Sequence, residues 1–529
     1  MKNNLIKTFI LAALLTGGLT SCKKELNRNP INTATADVVY STANGYKESL
    51  AKVYGAYALT SSTGSGNSDL GGIDAGTSDF LRLYWNAQEL PTDEAICAWN
   101  DVGLHDFHDM NWTSGNTFLN GLYTRCVYQI TVANSFIAQS TDDKLASRNI
   151  TGADADNVRH YRAEARFLRA FQYWVLMDLF ANPPFVDENS PIGKVYPAQI
   201  SRANLFAYVE SELKAIDGSL VAPRANEYGR ADQAADWALL ARLYLNAEVY
   251  LGSGKGRYTD AATYAAKVMS AGYTLNASYA NLFKADNNLN NPETILSINY
   301  DGINSQNYGG TTFLINSCLN AALNPALYGV ASGGWGGNRA VSTLPATTFG
   351  NYSGNADKRA MFTGPKIAND DESTFTDGLA VVKFTNMTSG GVAAPSPNGV
   401  FTSTDFPLFR LSEMYLTYAE ALLRGGTGTA GSALDAYNKV RARAYGNTNG
   451  NVNALALNDI LAERSRELYF EAVRRTDLIR FGQFYGDNYK WPWKGGIAAG
   501  RAVESYRTIY PIPAPDLSAN PNLKQNQGY

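Results

Sequence analysis

Residues 231–273 read ADQAADWALLARLYLNAEVYLGSGKGRYTDAATYAAKVMSAGY, and this stretch decides the fold. Trp237, Leu240, Ala241 and Tyr244 recur at steps of three, one and three, which places them on one face of a helix. Tyr258, Ala261, Tyr264 and Ala265 follow at steps of three, three and one, again one helical face, after GSGKG, residues 252–256, breaks the chain. Small alanines let the second helix approach the first closely. The stretch therefore predicts a helical hairpin. A lone hairpin cannot bury its own apolar face, so several must stack.

Other hairpins flank it. Tyr415, Tyr418, Ala419 and Leu422 precede a GGTGTAG break, and Ala433, Tyr437 and Val440 follow. A third long helix is predicted from about His160 to Phe180, with Ala163, Phe167, Ala170, Trp174 and Met177 as its stripe. Pro183-Pro184 ends it. Residues 44–60 and 118–139 carry the same period. The pattern is similar to the tetratricopeptide helix–turn–helix. The predicted fold is mainly α, a tetratricopeptide-like helical-hairpin superhelix with a loop-rich, short-strand insertion. The helical scaffold spans 40–275 and 406–485, the insertion 276–405, and an extended tail 486–529. Within the insertion, residues 294–300 and 379–384 read as short strands. Residues 61–100 read as a second loop region, and loops on a rigid frame are where binding usually resides.

Composition narrows the function. Of 529 residues, 45% are hydrophobic and 12% aromatic, while 18% are charged, with a net charge of −3. That excludes a disordered chain, which lacks aromatics, and a general nucleic-acid binder, which needs a basic excess. At the N-terminus, Lys2 and Lys7 precede the apolar run FILAALL, residues 9–15, and then Leu19-Thr20-Ser21-Cys22. The run is too short to span a bilayer, so residues 1–21 read as a signal peptide and Cys22 as a lipidated residue. One acyl chain anchors only marginally and several anchor durably. The other cysteines, Cys97, Cys126 and Cys318, are odd in number and form no CxxC pair, so neither a disulfide framework nor structural zinc is expected.

Several blocks resemble one family. FPLFRLSEMYLTYAEALLRGG with SALDAYNKVRARA, then ILAERSRELYFEAVRRTDLIRFGQF, is similar to the C-terminal half of SusD/RagB nutrient-uptake lipoproteins. So is the ending, YPIPAPD followed by NPNLKQNQGY. YRAEARFLRAFQYWVLMDLF and LYTRCVYQITVANSFI match the N-terminal half, and GGWGGNRA with ADKR, residues 356–359, the middle. The resemblance implies a protein of the outer membrane, lipid-anchored and facing the cell exterior. It implies capture of an oligosaccharide or polysaccharide and delivery to a SusC-like TonB-dependent transporter, with no catalysis and no cofactor. Lys23-Lys24-Glu25 departs from the acidic residues that surface-exported relatives favour after the cysteine.

A sugar platform needs an aromatic ring under the C–H face, with amides, carboxylates or guanidinium groups at its edge for the hydroxyls. The candidates in loop-like sequence are Trp85, Trp99, Asn100, Tyr308, Trp335 and Arg339, with Asp74, Asp79 and Arg82 beside them. Glycines on both sides make Trp335 the leading one. Each tryptophan is open to a second reading as plain core. In the segment 461–479, Leu461, Ser465, Leu468, Ala472, Thr476 and Ile479 form one stripe of a single predicted helix. On it Glu463 faces Arg466, and Glu471 reaches Arg474 and Arg475. We read these charges, with Glu164, Arg166 and Arg169, as structural. His105-Asp106-Phe107-His108-Asp109 is open to a reading as two metal ligands with carboxylate support, but we read it as a solvated loop and assign no residue to a metal. The alternative function is a lipid-anchored glycoside hydrolase, which needs two carboxyl groups across a cleft.

Overall fold

The computed structural model describes residues 36–529, apart from 192, 194, 351 and 353–355. Cys22 and the predicted signal peptide lie outside the described residues. The hairpin read from 231–273 is present as helices Gln233–Leu245 and Tyr258–Met269. Asp232 caps the first by accepting the amides of Ala234 and Ala235, a contact worth ~1 kcal/mol. Gly252, at φ 103°, turns the chain out of the short helix Ala247–Leu251 that follows. Ala261, Ala262 and Ala265 are wholly buried, so Tyr258–Met269 packs closely on both Gln233–Leu245 and Leu411–Leu423. The latter packs on Ala433–Tyr445 and Leu457–Leu468, which continues the stack. On the other side, Gly152–Phe180 lies against Thr117–Gln139, Arg202–Ile216 and Ala43–Ala58. The predicted superhelix is thus the fold.

Two boundaries differ from expectation. The long helix begins at Gly152 rather than near His160, because its first two turns bury only Ala155 and Val158 and so carry little apolar period. The helix expected across 461–479 is two, Leu457–Leu468 and Arg474–Arg480. Between them Phe470 and Ala472 take φ of 63° and 60°, a left-handed conformation that costs a non-glycine residue ~1–3 kcal/mol. Buried partners hold the turn. Glu94 and Glu89 accept the amides of Phe470 and Val473, and the Trp85 indole donates to the Phe470 carbonyl.

The insertion contributes short antiparallel ribbons. Thr294–Ile298 pairs with Phe406–Arg410, so a strand stands where the helical scaffold was expected to resume. Phe362–Thr363 pairs with Ala380–Val381, and Ala95–Cys97 pairs with Asn338–Ala340.

A buried ionic hub ties this insertion to the C-terminal helices. Glu467 accepts from Arg359, Arg410 and Arg443, and Arg359 also reaches Glu463 at 2.8 Å and Asp357 at 2.6 Å. Arg410 and Arg443 both bond Glu293. Glu463 does pair with Arg466, at 2.7 Å. Glu471 turns instead to Lys383 and Arg410, because the left-handed turn aims it away from the next helix. Arg474 pairs with Asp93, and Arg475 donates to the Thr508 carbonyl.

One buried acid works against stability. Burial first, then Glu94, raises the Glu89 pKa well above the usual carboxylate range. The folded chain therefore keeps a proton that the unfolded chain releases above pH ~4.5, and stability falls as pH rises past that point. Glu89→Gln preserves the acceptor for Val473 and removes the proton uptake. Its melting temperature at pH ~8 is expected to exceed wild type by about 2 °C, roughly 1 kcal/mol for a chain this long. A value at or below wild type in a melting scan at that pH would remove proton uptake by Glu89 as a cost to stability.

Candidate functional site

The ribbon of Ala95–Cys97 and Asn338–Ala340 aims two tryptophans at one surface. Its pairing continues beyond the strands, with the Ala98 amide bonded to the Gly337 carbonyl at 2.9 Å. Trp99 and Trp335 thus emerge at the same end. Their ring centroids are 6.4 Å apart with planes inclined by 43°, and the Trp99 indole donates to the Trp335 carbonyl at 3.1 Å. Both rings are partly exposed.

Gly337 makes this approach possible. A Cβ there would stand 2.3 Å from the Trp99 indole. Gly337→Ala is therefore expected to swing the indole off the ribbon and cost ligand affinity about as much as deleting the ring. Tryptophan emission, expected to shift with the displaced ring, and a titration would check it. The amides of Trp335, Gly336 and Gly337 donate to the carbonyls of Asn316, Leu319 and Ser317, each at 2.7 Å, which fixes the loop on the helix Gly310–Ser317.

Arg82 lies beside this pair. Its guanidinium carbon is 5.6 Å from the Trp99 centroid and 5.0 Å from that of Phe313. The Arg82 Nε is buried and has no hydrogen-bond partner among the described residues. Burial is the main cause that lowers its pKa, yet the group stays charged at any physiological pH. A stacked, partly exposed arginine is suited to a ligand hydroxyl. Asp74 is exposed close by, where its Oδ1 and Arg82 Nη1 both border Gly76. It accepts the Thr77 hydroxyl at 2.7 Å and its amide at 3.1 Å, and the hydroxyl bond is the leading cause that lowers its pKa.

Tyr308 joins through the backbone. Asp79 caps the helix Phe80–Glu89, which carries Arg82, and also accepts from Asn307 Nδ2 at 2.5 Å and the Gly310 amide at 3.0 Å. Those bonds bring residues 307–310 to the start of that helix. Tyr308 is 42% exposed and stands 5.0 Å from Phe401, while the nearby Gly399 carbonyl holds the amides of Ala331 and Ser332. Asn100 is exposed one residue after Trp99.

Three candidates lie in the core instead. Trp85 is fully buried against Phe313 and Phe470, with its N–H spent on the Phe470 carbonyl. Its segment is a helix, Phe80–Glu89, rather than the loop expected. Arg339 is fully buried and donates to the carbonyls of Asp377, Asp371 and Glu372, so it folds the insertion. Asp79, also fully buried, is spent on capping. Sequence reasoning missed Phe313, which lies under Arg82, and Asn320, whose buried Oδ1 has no partner among the described residues and whose Cβ borders Gly336. The polar spacing around the helix Gly310–Ser317 offered no signal for either.

Known proteins share this arrangement of chain. The model of the SusD family matches residues 351–529. The starch-binding protein SusD of Bacteroides thetaiotaomicron is 36% identical over 581 aligned positions that cover 100% of both chains. The chain belongs to the SusD family. A SusD-like protein of Bacteroides ovatus is 25% identical, covering 63% of this chain and 62% of its own. Among solved structures, a SusD homolog from B. thetaiotaomicron superposes with a TM-score of 0.73 at 18% identity, over 96% of this chain and 100% of its own. Surface glycan-binding protein A of B. thetaiotaomicron, in complex with laminarihexaose, has a TM-score of 0.67 at 19% identity, over 91% and 99%. At those identities the structural likeness shows the SusD fold alone.

Proposed function

We propose that this SusD-family protein binds a glycan of the starch type through Trp99, Trp335 and Tyr308, with Arg82, Asp74 and Asn100 serving the hydroxyls, and delivers it to a TonB-dependent outer-membrane transporter. The observation that carries the reading is the pair of partly exposed tryptophans whose rings lie 6.4 Å apart and are inclined by 43°, with the Arg82 guanidinium stacked beside them. Rings inclined in this way suit a chain that turns between successive sugars better than a flat ribbon. The full-length identity to a starch-binding protein supports the same class of ligand. Cys22 supplies the lipid anchor in this reading, at the cell surface. No helix among the described residues is long and apolar enough to cross a membrane.

The hydrolase alternative has less support. A general acid needs a raised pKa and access to substrate. In the charged C-terminal helices the arginines do the reverse: against a large burial penalty, Arg359, Arg466 and Arg441 pull Glu463 down to about 2. Affinity electrophoresis in amylopectin, in laminarin and in a β-1,4-glucan tests the proposal, with reducing ends assayed in the same samples. Retardation in amylopectin without new reducing ends is expected. Migration unchanged in all three gels would refute glycan binding, and new reducing ends would restore the hydrolase.

A further inference from the structure

Behind the platform, the segment read as a solvated loop is nothing of the kind. Residues 106–109 form a short helix, and the His108 side chain is 2% exposed. The spacing His105-x-x-His108 places both imidazoles on one side of that turn, with ring centroids 4.8 Å apart. Facing them from the insertion is Glu372. We propose that His105, His108 and Glu372 form a site for a divalent transition metal, zinc by the character of its donors.

The polar atoms are the first ground. Both ring nitrogens of His108, Nε2 of His105, Oε2 of Glu372 and Oδ1 of Asp109 are buried with no hydrogen-bond partner among the described residues. Native proteins seldom leave even one such atom unmet, and a cation would remove the desolvation cost of those it binds. A single ion can take one nitrogen from each imidazole together with a carboxylate oxygen.

Distances are the second ground. One ligand atom from each of the three residues lies within 4.8 Å of the others. His108 Nδ1 is 3.5 Å from Glu372 Oε2 and 3.2 Å from Asp109 Oδ1, and His105 Nδ1 is 3.9 Å from Glu372 Oε1. A tetrahedral zinc with bonds of about 2.0–2.1 Å sets its donors about 3.3–3.4 Å apart. Two imidazole nitrogens and a carboxylate are zinc's usual donors, whereas calcium and magnesium require oxygen throughout. Asp109 is placed to be a fourth donor or to orient His108. Arg339, whose guanidinium donates to the Glu372 carbonyl, fixes the backbone that carries this carboxylate.

Three distant parts of the chain meet here. The insertion supplies Glu372, the tail bonds the His108 carbonyl through the Gly495 amide, and the backbone of Trp99 lies against His105. Bound zinc would pin all three.

The test uses untagged, full-chain protein in detergent, stripped with chelator and titrated with zinc chloride by calorimetry at neutral pH. One equivalent is expected to bind, with a melting temperature that rises with zinc concentration. Cobalt(II) in its place is expected to give the intense visible bands of a tetrahedral ion. His108→Ala and Glu372→Gln should each weaken binding by more than about 100-fold, since even an outer partner of a metal ligand is worth 10–100-fold. If His108→Ala fails to fold, the half-buried Glu372 and His105, changed to Gln and Asn, decide the matter. Absence of stoichiometric binding, or binding that survives Glu372→Gln and His105→Asn, would overturn the site.

Discussion

Trp99→Ala is expected to weaken amylopectin binding by about 30-fold or more while leaving the melting temperature near wild type. A central aromatic anchor is worth ~2 kcal/mol or more, and each ~1.4 kcal/mol is tenfold in affinity. Trp99 holds this position twice over. Its face is one of the two inclined indoles, and its ring also backs the Arg82 guanidinium at 5.6 Å. Losing it removes a stacking surface and frees the arginine that serves the hydroxyls. Its stability cost is small because the ring is partly exposed. Trp85→Ala is the contrasting control. That ring is fully buried, so its loss is expected to cost ~3–5 kcal/mol of stability. Calorimetric titration beside a thermal melt separates the two. Undiminished binding by Trp99→Ala would move the site elsewhere, first to the cleft of about 310 Å³ lined by Tyr54, Tyr228, Arg230 and Leu296.

The second large effect is on stability. Arg410→Met leaves Glu293, Glu467 and Glu471 buried with one cation fewer, and removing one partner of a buried pair typically costs ~3–5 kcal/mol. At 2–4 °C per kcal/mol for a large domain, the melting temperature should fall by roughly 10 °C. The same hub sets the acid limb. Glu463 is held down to about 2, from an ordinary 4.5, by Arg359, Arg466 and Arg441 in spite of its burial. A depressed carboxylate contributes stability that is complete above pH ~4.5 and is lost as pH falls toward 2. Wild type should therefore lose stability steeply between those values, and Glu463→Gln should flatten that fall while being less stable at neutral pH. Denaturant midpoints measured across the range give both results, and an unchanged slope would remove Glu463 from the hub.

How far the site could be read follows from the same contrast. Trp335 stood out because glycines flank it, and a chain that needs positive φ at Gly333, Gly334 and Gly336 belongs at a surface loop. Trp85 carried no such mark. Its helix, Phe80–Glu89, does alternate apolar and polar residues at helical spacing, but Asn86, Gln88 and Glu89 are buried along with the apolar ones, so polarity in the segment was mistaken for exposure. Arg339 and Asp79 were drawn into the site by polarity alone. Only the fold reveals that their hydrogen-bonding capacity is spent on backbone.

What the sequence determined by itself was the helical scaffold. A 3.6-residue period is local: Trp237, Tyr244, Ala261 and Ala265 declare their faces within one or two turns, and Asp232 and Gly252 mark the ends nearby. Tertiary structure alone decided where the loops go and what they bring together. Trp99 meets Trp335 through pairing of two three-residue strands far apart in the chain, and such strands are too short to show a period. Glu471 was read to Arg474 and Arg475 by helical spacing, yet it reaches Lys383 and Arg410 because a buried turn at Phe470 and Ala472 breaks the helix. His108 became a buried ring with no hydrogen-bond partner among the described residues only when the insertion and the tail closed over it. Contacts between residues distant in sequence are set by which surfaces the whole chain can bury at once, and no local spacing encodes that.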